Sequence, residues 1–295
     1  MKSSATSGHV VSRRAFLGAG AGGLASCVLA GRMAPAQAGE QPKRSAGPFA
    51  LRHVLPAPVY HGLDLAQVVP QVRAAGMEAI DVWGLHGIEK MGQDAFAELL
   101  KKHGVKLAYV TLYLGPGKGL PNLQPYLPNV KKTGTSCVIT GFMPKTKEDM
   151  VAYMDGVQGV VAQAEELGLS IAVENYGHSP DVIRSFAEHA KSDRLGIILA
   201  PYHMERDPKQ IADLIRDLGK KLFAIYLWQR GAGTAQLPGL GRGLDFGPIV
   251  AALKETNYQG WSEVFMHGKA GETVEEITQV FTRARKHVDE LAARA

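Results

Sequence analysis

Between Phe49 and the C-terminus, a short β-branched or apolar run is followed eight times by a stretch with helical apolar spacing. That alternation predicts an α/β fold, a single (β/α)8 TIM barrel over residues 49–295. Each parallel strand must return through a helix, and eight such units close on themselves. The runs place strands from Ala50 to Leu55, Ala79 to Trp83, Lys106 to Leu112, Ser136 to Thr140, Ser170 to Glu174, Gly196 to Leu199, Leu222 to Trp228 and Gly260 to Phe265. Leu195 to Leu199 is apolar throughout, as a strand covered on both faces requires. Helices are expected from Ala66 to Ala75, Asp94 to His103 and Lys147 to Leu167, each followed by a glycine suited to a C-cap. Others run from about Asp181 to Lys191, Pro208 to Leu218, Phe246 to Glu255 and Val274 to Ala293. The last repeats apolar residues at Ile277, Val280, Phe281, Ala284, Val288 and Leu291, a stripe that should seal the barrel wall.

The segment before the barrel has a different character. Ser12-Arg13-Arg14-Ala15-Phe16-Leu17-Gly18, a weakly apolar Gly/Ala-rich stretch and Ala36-Gln37-Ala38 together have the form of a twin-arginine export signal ending in a small-residue cleavage site. Residues 1–38 are therefore expected to be removed and 39–48 to be a linker, with the protein in the periplasm or outside the cell. Leu24-Ala25-Ser26-Cys27 also has the form of a lipobox, so a form anchored through Cys27 is the alternative. No apolar run is long enough to span a bilayer. Loss of residues 1–38 takes away four positive charges and no acid, lowering the net charge from +5 to +1. The basic balance belongs to the signal and gives no support to a nucleic-acid partner. Cys137 is then the single remaining cysteine, which excludes an internal disulfide. Nothing in the pattern decides between a monomer and a homo-oligomer.

In barrels of this kind the chemistry stands at the C-terminal strand ends. Strand five ends in Val173-Glu174-Asn175-Tyr176, and strand six ends in Ala200-Pro201-Tyr202-His203. Strand eight carries Glu263 after Tyr258-Gln259-Gly260, and alternation puts Trp261, Glu263, Phe265 and His267 on one side of it. Two carboxylates facing each other across the mouth suit proton transfer at a carbon next to a carbonyl, one removing the proton and the other returning it through an enediolate. Trp83, Tyr113, Tyr176, Tyr202 and Trp228 lie near strand ends, where aromatic faces can cover the C–H surfaces of a sugar. With Gln229 and His53 as hydrogen-bonding groups, Trp83, Tyr176, Tyr202 and Trp228 are the substrate-binding candidates.

These strand ends, in this order and with the glycine-rich stretch from Leu237 to Phe246, resemble the xylose-isomerase-like superfamily of sugar phosphate isomerases and epimerases over essentially all of the chain after the signal. In that family glutamates closing strands five and eight, an Asp-x-x-His on strand six and a histidine on strand seven hold a divalent cation. The resemblance implies Glu174 and Glu263 as catalytic groups, and Glu174, His203 and Glu263 as ligands of Mn²⁺, Mg²⁺ or Zn²⁺. Ala200 stands where the family has its aspartate and Tyr226 where it has its strand-seven histidine, so His267 is the candidate fourth ligand, with Gln229 a further donor. No Lys/Arg-rich strand end suited to phosphate accompanies strands seven and eight, which points to a non-phosphorylated carbohydrate. The expectation is a sugar isomerase or epimerase. The alternatives are a lyase or hydrolase of a 3-keto-glycoside, and a non-catalytic carbohydrate-binding barrel that has lost its metal.

Overall fold

The computed structural model describes residues 49–114, 119–141, 143–268, 271 and 273–295. The expected export signal and linker lie outside the described residues. Eight parallel strands close into one barrel in sequence order: β1 (Arg52–Pro56), β2 (Ala79–Trp83), β3 (Lys106–Thr111), β4 (Cys137–Thr140), β5 (Ser170–Glu174), β6 (Leu195–Leu199), β7 (Leu222–Leu227) and β8 (Trp261–Val264). Each lies within about two residues of its expected position, because a strand buried on both faces leaves a nearly unbroken apolar signature. The outer helices are α1 (Leu65–Ala74), α2 (His86–Met91), α3 (Gln93–His103), α4 (Leu127–Lys132), α5 (Met150–Leu167), α6 (Pro180–His189), α7 (Pro208–Leu218), α8 (Gly247–Glu255) and α9 (Val274–Arg294). No helix among the described residues is long and apolar enough to cross a membrane.

Helices α2 and α4 have no counterpart in the sequence reading. Pro121, Pro125 and Pro128 break the periodic pattern ahead of β4, yet each sits in a first turn, where its missing N–H leaves no hydrogen bond unmade. The glycine stops are borne out: Gly104 and Gly168 cap α3 and α5 in the left-handed conformation, at φ 62° and 64°.

Two apolar layers hold the barrel. One lies between helices and strands and includes Phe281, Ala284 and Val288 of α9, so the expected stripe packs inward. The other fills the barrel itself, where Ala79, Ala108, Ala172 and Ala224 leave room for Tyr109, Tyr226 and Trp228. Small inward residues thus make room for large polar-tipped ones within the barrel. The Tyr258-Gln259-Gly260 element is structural: the Tyr258 hydroxyl donates to the Trp261 carbonyl at 2.7 Å, and a Cβ on Gly260 would stand 2.3 Å from the Phe223 carbonyl oxygen.

Alternation also corrects one expected substrate contact. Val54 faces the barrel interior, so His53 faces outward, where Nε2 lies 2.7 Å from Asp289 of α9 and Nδ1 lies 3.1 Å from the Ser262 hydroxyl. It fastens α9 to the barrel and lies on the far side of the sheet from the mouth.

Candidate active site

Three inward carboxylates dominate the barrel interior: Asp81 on β2, Glu174 at the end of β5 and Glu263 in β8, none more than 2% exposed. Their partners set their states. Glu174 accepts from the Tyr113 hydroxyl through a short hydrogen bond to Oε2, and its Oε1 lies 3.1 Å from His203 Nε2, the donor in the tautomer that makes this bond. Burial, followed by the charge of Glu174, raises the Tyr113 phenol well above its ordinary value, so it keeps its proton and acts as a donor. Backbone geometry brings Glu174 and His203 together. The Asn175 side chain accepts from the Ala200 N–H at 2.7 Å and donates to the Ala200 carbonyl at 3.3 Å, latching the end of β5 to that of β6. Pro201 then opens the 3-10 turn Pro201–His203 that delivers the imidazole.

Asp81 has no counterpart among the candidates drawn from the sequence. Its Oδ1 accepts from Thr111 at 2.8 Å and its Oδ2 from Trp83 Nε1 at 2.6 Å, but burial outweighs both bonds and pushes its pKa up to about 8, with the Glu174 charge adding to the rise. Glu263 lies mid-strand, in register with Val54 on one side and Tyr226 on the other. Its Oε2 takes the Tyr109 hydroxyl at 2.6 Å and its Oε1 is buried without a hydrogen bond. Burial, then the Asp81 charge, raises its pKa well above the ordinary carboxylate value, which favours its protonated form. The signal that could have found Asp81 is parity with Trp83, the same argument that grouped Glu263 with His267.

Around Glu174 and His203 stands an aromatic wall. Tyr176 stacks on the His203 ring at 4.6 Å and is 57% exposed, while Tyr202 stacks on Trp228 at 3.9 Å. Trp83 lies parallel to Phe265 at 5.5 Å with its edge toward Tyr113, and His267 meets Trp228 edge-on at 4.8 Å. Partial burial lowers the His267 pKa, favouring its neutral imidazole. Trp83, Tyr176, Tyr202, His203, Trp228 and His267 are therefore gathered near Glu174, with Trp228 itself buried beneath Tyr202.

Two expectations are corrected. Gln229 does not face substrate: its Oε1 accepts from the Leu244 N–H, its Nε2 donates to the Ala235 carbonyl at 3.1 Å, and a Cβ on Gly243 would stand 2.4 Å from that Oε1. It locks the glycine-rich stretch onto the loop after β7. Nor do Glu174, His203, Glu263 and His267 form a ligand set. Among the described residues no three His, Cys, Asp or Glu side chains come together so as to hold a metal ion. The donors themselves disagree with a cation: both Glu174 oxygens are engaged by Tyr113 and His203, Glu263 is tied to Tyr109, and a methyl at Ala200 and a phenol at Tyr226 replace two ligands.

Residues 69–285 match the sequence profile of the xylose isomerase-like TIM barrel family. No curated protein matches the chain by sequence. Among solved structures, a D-psicose 3-epimerase determined in the presence of D-fructose is 18% identical, with 79% of this chain and 96% of that one covered at a TM-score of 0.64. A 3-keto-D-glucoside 4-epimerase from E. coli is 14% identical, covering 80% of this chain and 100% of that one at 0.65. An IOLI protein with a bound zinc atom is 15% identical over 83% and 97%, at 0.60. Such identities establish a shared fold.

Proposed function

Because the chain belongs to the xylose isomerase-like TIM barrel family, we propose that it is a sugar isomerase or epimerase that moves a proton at a carbon beside the carbonyl of a non-phosphorylated carbohydrate. One observation carries this reading: Glu174 is held at a strand end between a phenol and an imidazole, inside an aromatic wall. A base must be oriented before it can act, and the Tyr113 and His203 donors fix both carboxylate oxygens. In the proposed step Glu174 takes the proton from carbon, the C–H electron pair becomes the carbon–carbon double bond of an enediolate, and the carbonyl oxygen takes up the charge. As Glu174 takes up the proton its hold on the Tyr113 hydroxyl and the His203 N–H weakens, and these donors can then turn to that oxygen and stabilise it. Returning the proton to the other face gives an epimer, and returning it to the neighbouring carbon gives an isomer.

The step is not routed through a cation, since the donor set does not fit one. Glu263 is assigned no proton transfer with substrate either, because it is fully buried against Tyr109 and burial favours its protonated form. The reading of an unphosphorylated substrate is supported by Arg206 and Arg230, the exposed basic groups beside Tyr202, which are engaged with the carbonyls of Arg230 and Tyr202 at 2.8 and 3.1 Å. The fold likeness to an enzyme of 3-keto-D-glucoside keeps carbonyl-bearing glycosides among the candidate substrates, where the same abstraction could expel a β-leaving group.

Incubation with a panel of ketoses and 3-keto-glucosides in D₂O tests the proposal. Deuterium should enter beside the carbonyl with wild-type protein and fail to enter with Glu174→Gln. Binding without any exchange would favour the non-catalytic barrel, and release of the aglycone would favour the lyase. We also propose export by the twin-arginine route; lysine at positions 13 and 14 should trap the precursor inside the cell, and unimpaired export would overturn this.

A further inference from the structure

We propose that the cavity between the ends of β2 and β3 and helix α4 is a second sugar subsite, holding the non-reacting ring of a disaccharide or similar glycoside whose other ring lies at Glu174. This rests on the reading of Glu174 as acting on a carbohydrate. The cavity has a volume of about 560 Å³ and is lined by Trp83, Tyr113, His86, Glu89, Tyr126 and Asn129 among others. That is within the roughly 300–1,000 Å³ of small-molecule sites. It shares Tyr113 with the Glu174 cluster, so a ring bound there is one side chain away from the proposed base.

Its walls have the chemistry of sugar recognition. Among the described residues three large apolar side chains are exposed, Tyr126, Val151 and Tyr176, and the two tyrosines both stand at the C-terminal mouth. Leaving an aromatic ring in water is unfavourable, and stacking it on the C–H face of a pyranose relieves that. Trp83 is already fixed by its 2.6 Å bond to Asp81 and by Phe265 behind it, so it offers a preset face with little ordering cost. His86 and Glu89 on α2 and Asn129 on α4 are exposed, and their side chains make no hydrogen bond to another described residue, leaving donors and acceptors for ring hydroxyls. Among the described residues the lining holds no lysine or arginine, which suits an uncharged ring.

A second cavity of about 400 Å³ also borders Trp83, but it does not reach Tyr113, and its charged lining residues Asp64 and Lys90 pair with each other at 3.1 Å. The cavity on the Tyr126 side is the one of the two that shares Tyr113 with the reacting centre.

Calorimetric titration of Glu174→Gln protein, which binds without turnover, tests this with sucrose, trehalose, maltose and cellobiose against D-glucose and D-fructose. At least one disaccharide should bind about tenfold more tightly than its component monosaccharides. Adding Tyr126→Ala should abolish that gain while changing monosaccharide affinity less than twofold, and Asn129→Ala should reduce it. Tyr126 is 41% exposed, so its removal leaves the core intact, as an unchanged melting temperature would verify. No disaccharide binding more tightly than its monosaccharides, or an equal loss for both classes in Tyr126→Ala, would overturn the subsite. Deuterium exchange by the wild-type protein reports separately on Glu174. Exchange without a disaccharide preference defeats the subsite alone, and preference without exchange defeats the isomerase reading alone.

Discussion

At the end of β5, Glu174 holds a tyrosine hydroxyl on one oxygen and an imidazole on the other, beside the exposed ring of Tyr176. Inside β8, Glu263 holds a tyrosine hydroxyl on one oxygen and nothing on the other, with the buried hydroxyl of Tyr226 next to it in the sheet. The same residue types have been placed at two depths. Near the mouth, a second donor completes the carboxylate and keeps it in contact with the space where a substrate would lie. Deeper in the barrel, burial raises the pKa of both Asp81 and Glu263, with the Asp81 charge adding to the rise at Glu263 and the Glu174 charge to both, so burial favours the protonated form of each. The comparison teaches that an inward acid in this barrel is a candidate base only at the mouth: donors on both oxygens are not enough, since Asp81 has them from Thr111 and Trp83 and burial still raises its pKa to about 8.

The sharpest way to break the comparison is Glu174→Gln. It keeps the shape and loses the base, so proton exchange should fall by about 10²–10⁴-fold while the melting temperature stays near that of the wild type. Exchange at the wild-type rate would show that the mouth carboxylate is only a hydrogen-bonding post.

The next largest effect concerns stability, and its sign follows from Asp81. In the folded chain this carboxyl keeps its proton up to about pH 8, while in the unfolded chain it gives it up near its ordinary value of 3.8. Between those values the folded state binds more protons, so stability is greatest at the acid end of the window and declines as pH rises toward 8. Asp81→Asn removes that proton linkage. Unfolding free energies measured by denaturant at pH 5 and pH 8 should therefore differ less in the variant than in the wild type, by an amount on the order of a few kcal/mol. Equal pH slopes in the two proteins would mean that Asp81 is ionised in place.

How much of this was legible in the sequence depends on what each feature needs in order to be seen. The eight strands and the sealing stripe of α9 are periodic, and periodicity survives without knowing any partner. Glu174 and His203 were visible because one ends a strand and the other follows one within four residues. Asp81 was not, since inside Ala79-Ile80-Asp81-Val82-Trp83 it reads as one acid in an apolar strand, and only its alternation with Trp83 hints at the interior. The misread residues, His53 and Gln229, are polar groups near strand ends whose use is decided by distant partners: Asp289, 236 residues away, and the backbone N–H of Leu244. Spacing can put a side chain near a site, but it does not say which neighbour already satisfies it.

A smaller effect is expected from Glu263→Gln. If the deeper carboxyl already carries a proton, an amide of the same shape replaces one neutral donor with another, and exchange should fall by less than about tenfold. A loss as large as that of Glu174→Gln would return Glu263 to the role of second proton carrier and erase the distinction between mouth and interior.

The smallest effect should come from cations. Mn²⁺, Mg²⁺ or Zn²⁺ would have to draw Glu174 away from Tyr113 and His203, or reach Glu263 where it is sealed against Tyr109, and would find Ala200 and Tyr226 in place of two ligands. A bound ion at free concentration c stabilises the folded state by RT ln(1 + c/Kd), so a real site would raise the melting temperature as the ion is titrated. We expect no such rise with any of the three, and undiminished exchange after chelation. Restoring an acid with Ala200→Asp sharpens the test, because it adds one anionic donor on β6 beside His203. If wild-type protein shows no shift and Ala200→Asp does, the mouth keeps the geometry of a metal centre and lacks only that ligand. A shift in the wild type would show that the Glu174–His203 pair opens to admit the ion, and the metal-free mechanism would have to be abandoned.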